Sequence, residues 1–189
     1  MRTGVFFMSK KKKEQKIALF GSLKVLVAAA LLVALSIVFG KYLQIPVGEV
    51  MRFSLENLPI FIAGMAFGPA VGVAVGVAAD LIGCVMMAYT VNPAVTLGAA
   101  IIGLCGGMLF FICRKMPLLP RTVISVTAPH ILGSVVIKTV GLASYYNMPF
   151  FEVMLWRLLN YVIVAVLETA LIYLLIKNNA IKRQLGMEN

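Results

Sequence analysis

A bundle of six transmembrane helices, all-α and embedded in a membrane, is predicted by three features: the composition, the lengths of the apolar runs, and the side on which the basic residues fall. Of the 189 residues, 61% are hydrophobic and 13% charged, with mean hydropathy +0.99; a water-soluble domain carries about 25% charged residues. The 16 glycines and 8 prolines suit membrane helices, where both are commoner than in soluble ones. The length is that of a single domain. A formal charge of +10 would suit nucleic acid, but its distribution excludes that class, because the basic residues gather at the ends of apolar runs.

Residues 1–16 form a basic tail, with Arg2, Lys10, Lys11, Lys12, Lys13 and Lys16 against one acid, Glu14. It reads as a cytoplasmic topology anchor, with anionic lipid headgroups as a secondary partner. The membrane domain, residues 17–178, opens with Ile17–Phe39, about 23 residues and long enough to cross ~30 Å of hydrocarbon. The run exceeds the ~7–15 apolar residues of a cleavable signal peptide. Leu55–Ala88 is too long for one comfortable span and contains Gly68-Pro69. Proline lacks an amide donor and disfavours helical geometry in the preceding residue, so a turn falls there. The run divides into Val50–Phe67 and Ala70–Ala88. Ala94–Cys113, Val123–Ala143 and Val153–Ile176 complete six, and residues 179–189 form a cytoplasmic tail.

Charge parity supports that number. With six spans and both termini inside, thirteen of the seventeen basic residues are cytoplasmic, including Lys24, Arg114, Lys115, Arg121, Lys177, Lys182 and Arg183. Five spans would put six of them outside, against the positive-inside tendency. A multi-pass protein of the bacterial cytoplasmic membrane is expected.

The remaining charges, Lys41, Glu49, Arg52, Glu56, Asp80, Lys138, Glu152 and Arg157, then fall in the outer half or outer loops. Ionisable groups at membrane depth are costly and usually face a bundle interior, a partner or a cavity. His130, Ser134 and Lys138 are spaced four apart on one helix face; Arg157, Asn160, Tyr161, Val164 and Glu168 share another. Asp80 on the third span and Asn92, Pro93 and Thr96 at the start of the fourth add to the same side. An outward-facing pocket explains the group. For single residues, plainer roles stay open: Asp80 paired with Lys138, Arg157 paired with Glu152 or Glu168, and Tyr145-Tyr146-Asn147 either covering the pocket or forming an interfacial belt. His130 reads as a hydrogen-bonded helix contact, since nothing nearby completes a zinc set. Cys84, Cys105 and Cys113 lie in apolar segments at spacings that spell no metal or redox pair.

Ala30/Ala34, Gly72/Gly76 and Gly103/Gly107 are small-xxx-small pairs that allow close helix approach. The glycine pairs suit internal packing, and Ala30/Ala34 suits docking of another protein equally well. Phosphate-loop, dinucleotide and zinc-protease motifs are absent from the sequence, as is any nucleophile–base constellation, so no catalytic residue, metal or cofactor is expected. Uphill movement of a solute would need ion coupling or another subunit.

Several stretches together resemble the substrate-binding S components of energy-coupling factor (ECF) vitamin transporters, the folate-specific kind above all. They are the basic tail before Ala30-x-x-x-Ala34; Met51-Arg52-Phe53-Ser54-Leu55-Glu56-Asn57-Leu58-Pro59; Ala63-Gly64-Met65-Ala66-Phe67-Gly68-Pro69; Asp80-Leu81-Ile82-Gly83; Asn92-Pro93-x-x-Thr96-Leu97; and Trp156-Arg157-Leu158 with Glu168. The fifth span departs from the family's Asn-Thr-x-Trp type of stretch. The resemblance implies a six-helix protein that captures a vitamin from outside. It would dock through Ala30 and Ala34 onto a transmembrane coupling subunit bound to two ATPases, and release its ligand by toppling. For folate, Lys138, Arg157 and Arg52 would hold carboxylates. Asp80 or Asn160 would read the pterin edge, with Asn92 nearby, and Tyr145, Tyr146 or Phe53 would lie against the ring. The same class with riboflavin, thiamine or a queuosine precursor as ligand, or a stand-alone secondary transporter, are the alternatives; no inverted repeat favours the last.

Overall fold

The structure is a computed structural model that describes residues 22–47 and 51–178. The basic tail, Glu49 and the C-terminal tail lie outside the described residues. The first span is α1, Leu23–Ile37, prolonged by a π-helical turn over Val38–Tyr42. A hairpin follows, β1 (Ile45–Val47) antiparallel to β2 (Met51–Phe53), with Pro46 opposite Arg52. The remaining helices are α2 (Asn57–Phe67), α3 (Pro69–Met86), α4 (Pro93–Ile112), α5 (Leu118–Pro129) and α6 (Lys138–Tyr146), with α7 (Phe150–Lys177) last. A π-helical stretch, His130–Ile137, joins α5 to α6 into one fifth span.

Five of the six spans are long and apolar enough to cross a membrane. The second is shorter than the expected Val50–Phe67. Its helix has 11 residues, about 16 Å at 1.5 Å each. Met51–Phe53, with Arg52, pairs as a hairpin strand instead of exposing unpaired groups at membrane depth, and Glu56 lies between that strand and α2. The turn expected at Gly68-Pro69 is present, with Gly68 at φ +107°, open to glycine at little cost, and Pro69 starting α3 where its missing amide is harmless. Pro129 removes an amide donor within the fifth span, and the ladder widens into the π stretch one residue later.

Glycines set the closest helix approach. A methyl on Gly72 would sit 2.6 Å from the Gly103 carbonyl oxygen, and one on Gly107 2.6 Å from that of Gly64, so α2, α3 and α4 meet backbone to backbone. The interior is otherwise filled by Phe61, Met65, Val71, Val75, Ile102, Val126 and Ile172. Val85 and Phe151 are 75% and 78% exposed, whereas Asn57, Thr122, Ser125, His130, Ser134, Thr139 and Glu168 are all within 2% of complete burial. An apolar exterior around a partly polar interior is what lipid as solvent demands. At the far end of α4, Arg121 Nε donates to the Phe110 carbonyl at 2.7 Å while its guanidinium lies over the Phe110 ring, giving a helix C-terminus a cation.

Candidate ligand-binding cavity

The helices alternate in direction, so the C-terminal ends of α1, α3 and α6 and the N-terminal ends of α4 and α7 share one end of the bundle with the hairpin. A cavity of about 640 Å³ opens there. The start of α1 and the end of α7 lie at the opposite end, with Arg114 and Lys115. The size suits a drug-sized or vitamin-sized solute.

Seven of the predicted residues line it: Arg52, Asp80, Asn92, Lys138, Tyr145, Arg157 and Asn160. Phe53, in β2, does not. The Tyr146 side chain lies outside the described ones. Lys41, Gln44, Glu56, Tyr89, Trp156 and Tyr161 also contribute, beyond the predicted set. Lys41 and Glu56 had already fallen among the outer charges and Tyr161 on the polar face of the last span. Gln44 and Tyr89 stand outside regular helices, where periodicity carries no signal.

Charge is distributed unevenly over the walls. Lys138 Nζ donates to Glu56 Oε1 at 3.2 Å, joining the fifth span to the start of α2. Ser36 Oγ donates to the Glu56 carbonyl at 2.6 Å, which ties α1 to the same point. Asp80 is not the partner of Lys138; its Oδ2 accepts from Thr96 Oγ1 at 2.6 Å, across the α3–α4 interface. Asn92 has a local duty. Its Oδ1 caps α4 by accepting from the Ala94 amide, and its Nδ2 donates to the Gly141 carbonyl, both at 3.0 Å.

The other cations are held by neutral partners. Arg157 Nε donates to the Ser134 carbonyl at 3.1 Å, and Nη2 lies 3.4 Å from the Tyr161 hydroxyl. Arg52 reaches Gln44 Oε1 at 3.4 Å and the Tyr89 hydroxyl at 3.5 Å, with Lys41 5.2 Å from the centre of the Tyr89 ring. The hydrogen bond from Arg52, with its charge, holds the Tyr89 phenol below its ordinary pKa. Among the described residues, Lys41, Arg52 and Arg157 have no carboxylate within ion-pair distance. Asn160 donates from Nδ2 to the Arg52 carbonyl at 3.1 Å, and its buried Oδ1 has no partner among the described residues.

Beneath Arg157, His130 Nε2 lies 2.6 Å from Glu168 Oε2 and Nδ1 lies 3.2 Å from Ser134 Oγ. His130 is thus a helix-to-helix contact, its ring edge-on to Phe61 and tilted against Tyr161. Glu168 is spent on His130 and not on Arg157. Among the described residues no cluster of histidine, cysteine and acids has the geometry of a metal site.

A helical membrane bundle hollowed at one end, with cations and aromatic rings on the wall, defines a solute-binding membrane protein. The comparisons with known proteins make this specific. Residues 24–183 match the family described as ECF transporter, substrate-specific component, and the chain belongs to that family. Its fold is shared with the crystal structure of FolT bound with folic acid, at TM-score 0.67 and 22% identity over 80% of this chain and 90% of that one. It is shared also with the S component for biotin from an ECF-type ABC transporter, at TM-score 0.63 and 20% identity over 82% and 92%. A third structure, the S component of a bacterial ECF transporter, follows at TM-score 0.52 and 16% identity over 78% and 92%. No curated protein matches the chain. The protein is therefore a substrate-specific membrane subunit of an ECF transporter.

Proposed function

We propose that this S component captures folate at the outer face of the bacterial cytoplasmic membrane and hands it to an ATP-driven module. The observation that carries the ligand assignment is the set of three wall cations, Lys41, Arg52 and Arg157, without carboxylate partners among the described residues. Folate brings two carboxylates, whose charge-assisted bonds to guanidinium are among the stronger polar contacts available. Its flat pterin has donor and acceptor edges, which Asp80 or Asn160 would read with Asn92 nearby, and rings that Trp156, Tyr161 and Tyr145 can lie against. Lys138, already joined to Glu56, would share its ammonium with the ligand. Thiamine, a cation, is opposed by the same wall.

Delivery would use Ala30 and Ala34 as the face docked by a transmembrane coupling subunit that carries two ATPases. Both alanines point away from the bundle, among the exposed Leu26, Val27 and Leu31. Cytoplasmic termini follow from the basic residues at the end opposite the cavity.

Biotin is the second reading, because the biotin S component is a fold neighbour at nearly the same similarity. It offers one carboxylate to the three cations, which favours folate. Calorimetry of the purified chain with folate and with biotin separates the two. Folate is expected to bind, and Arg157→Ala to weaken it at least about tenfold. Unchanged affinity in both Arg157→Ala and Lys138→Ala removes the carboxylate assignment, and binding of biotin alone replaces folate.

A further inference from the structure

His130 and Glu168 are buried and do not line the cavity, yet a chain of contacts leads from them to its wall. Both imidazole nitrogens are engaged, Nε2 at 2.6 Å from Glu168 Oε2 and Nδ1 at 3.2 Å from Ser134 Oγ. A ring held at both nitrogens cannot swing without breaking one of the two contacts. It meets the Tyr161 ring at 5.0 Å between centres, with 33° between the planes, and Tyr161 lines the cavity.

Two contacts carry this arrangement on to Arg157, a wall residue. Its Nη2 lies 3.4 Å from the Tyr161 hydroxyl, and its Nε donates to the Ser134 carbonyl at 3.1 Å. Ser134 thus meets His130 through its hydroxyl and Arg157 through its carbonyl. A guanidinium has several donors beyond the two engaged here, and one held in advance loses less freedom when a carboxylate binds. Glu168 stands eleven positions from Arg157 on α7, about 16 Å along the axis, so it acts on the guanidinium only through the side chains between them.

We propose that His130, clamped by Glu168, is a positioning residue for the ligand: through Tyr161 and Ser134 it fixes the Arg157 guanidinium in the cavity wall without reaching the cavity itself. The buried pair is then more than a tie between the fifth and sixth spans. It presets the cation on which an anionic ligand lands, and its loss is felt at the cavity as weaker binding. The effect on affinity rests on the capture function proposed above, whereas the link between His130 and Arg157 does not.

The full chain in detergent supplies the test. His130→Gln keeps a donor toward Glu168 but removes the ring, and folate affinity by calorimetry should fall about fivefold. In an Arg157→Ala background the same substitution should change affinity by less than about twofold, because a residue that acts through Arg157 has nothing left to position. Equal losses in the two backgrounds overturn the proposal, as does unchanged affinity in His130→Gln alone. If His130→Gln is not recovered folded, His130→Phe with Glu168→Leu, which leaves no unpaired buried charge, runs the same cycle. His130 is the only histidine of the chain, so isotope-labelled histidine gives NMR signals from one imidazole. In the ligand-free chain Arg157→Ala should shift those signals, whereas Arg52→Ala should not, since Arg52 reaches Gln44 and Tyr89 instead. Signals unmoved by Arg157→Ala, or moved equally by both variants, overturn the link. Should the native chain bind no folate, the capture reading fails, and the imidazole shift still decides whether His130 and Arg157 are joined.

Discussion

Lys138 Nζ and Glu56 Oε1 lie 3.2 Å apart although 82 positions separate the two residues. The Lys138 side chain is 6% exposed and that of Glu56 31%, so of the two residues in the cavity wall Lys138 lies the deeper. In that setting, the pair's attraction largely offsets the cost of removing both from water, and the loss of one partner leaves a charge uncompensated.

Glu56→Gln is therefore expected to destabilise the protein by a few kcal/mol, about 3–5 for a fully buried pair and less where one partner is partly exposed. Lys138→Met combined with Glu56→Leu should recover most of that loss, because the two apolar side chains need no partner. Thermal unfolding in one detergent decides it. A double variant that melts no higher than Glu56→Gln alone contradicts the reading of the pair as mutual compensation.

Three glycines should respond differently to the same methyl group. In Gly107→Ala the new atom meets the Gly64 backbone at 2.6 Å, and neither helix can yield without separating. A loss of about 1–3 kcal/mol or more is expected. Gly68→Ala meets nothing within 4 Å, but its φ of +107° is strained for a side chain, so a loss of about 1–3 kcal/mol is expected from the backbone alone. Gly83→Ala meets the flexible Lys41 Cε at 3.0 Å and otherwise makes ordinary contacts, with Ile37 Cγ1 at 3.8 Å and Lys41 Nζ at 4.0 Å. Its melting temperature should stay within a few degrees of the native value while ligand affinity shifts, because Lys41 must move within the cavity. Unfolding and calorimetry on the three variants give the ranking.

The buried His130–Glu168 contact makes a third expectation. Glu168→Gln keeps an acceptor at hydrogen-bond distance from the imidazole and should cost little. His130→Ala leaves a carboxyl group at 0% exposure without its partner and should cost several kcal/mol, about 3–5 if the group stays ionised. Equal losses in the two variants, read by thermal unfolding, would mean that packing of the imidazole and not its hydrogen bond joins the fifth and sixth spans.

Much of this architecture was legible in the residues. The Gly68-Pro69 break, the six-helix count and the gathering of polar groups at one end follow from helix length, proline chemistry and the cost of charge in lipid. The hairpin was not, because Ile45–Val47 and Met51–Phe53 are three-residue strands, too short for an alternating pattern to register. Nor was the π stretch at His130–Ile137, since one proline predicts a disturbed ladder but not which hydrogen bonds replace it. Spacing placed Lys138 and Asp80 on the same side of the membrane. It could not tell that Lys138 would take Glu56 and Asp80 would take Thr96, because such pairings depend on helix rotation and depth.

The single tryptophan offers a direct reading of the cavity. Trp156 lines it and is 55% exposed, so a ligand that stacks on the indole changes its surroundings. Titration with folate should quench or shift the emission in a saturable manner, with the same midpoint as calorimetry. Trp156→Phe should abolish the signal and retain binding within about tenfold, as the phenyl ring keeps part of the contact. Calorimetric binding without any change in emission would place the ligand away from this wall.

The last expectation concerns the docking proposed for the molecule. On α1, Ala30 and Ala34 form an exposed small-residue stripe four positions apart, whereas Ala29, Ser36 and Ile37 of the same helix are buried against the bundle. Small residues permit a partner helix to approach closely in lipid, where packing and not hydrophobicity drives association. Enlarging the stripe with Ala30→Trp or Ala34→Trp should abolish co-purification with the coupling subunit and its ATPases. Ligand affinity of the isolated chain should stay within about twofold, since neither alanine lines the cavity. Retained co-purification in both variants moves the docking face elsewhere, and a parallel loss of ligand binding would instead point to a distorted bundle. The two measurements together distinguish a surface built for a partner from one that faces lipid alone.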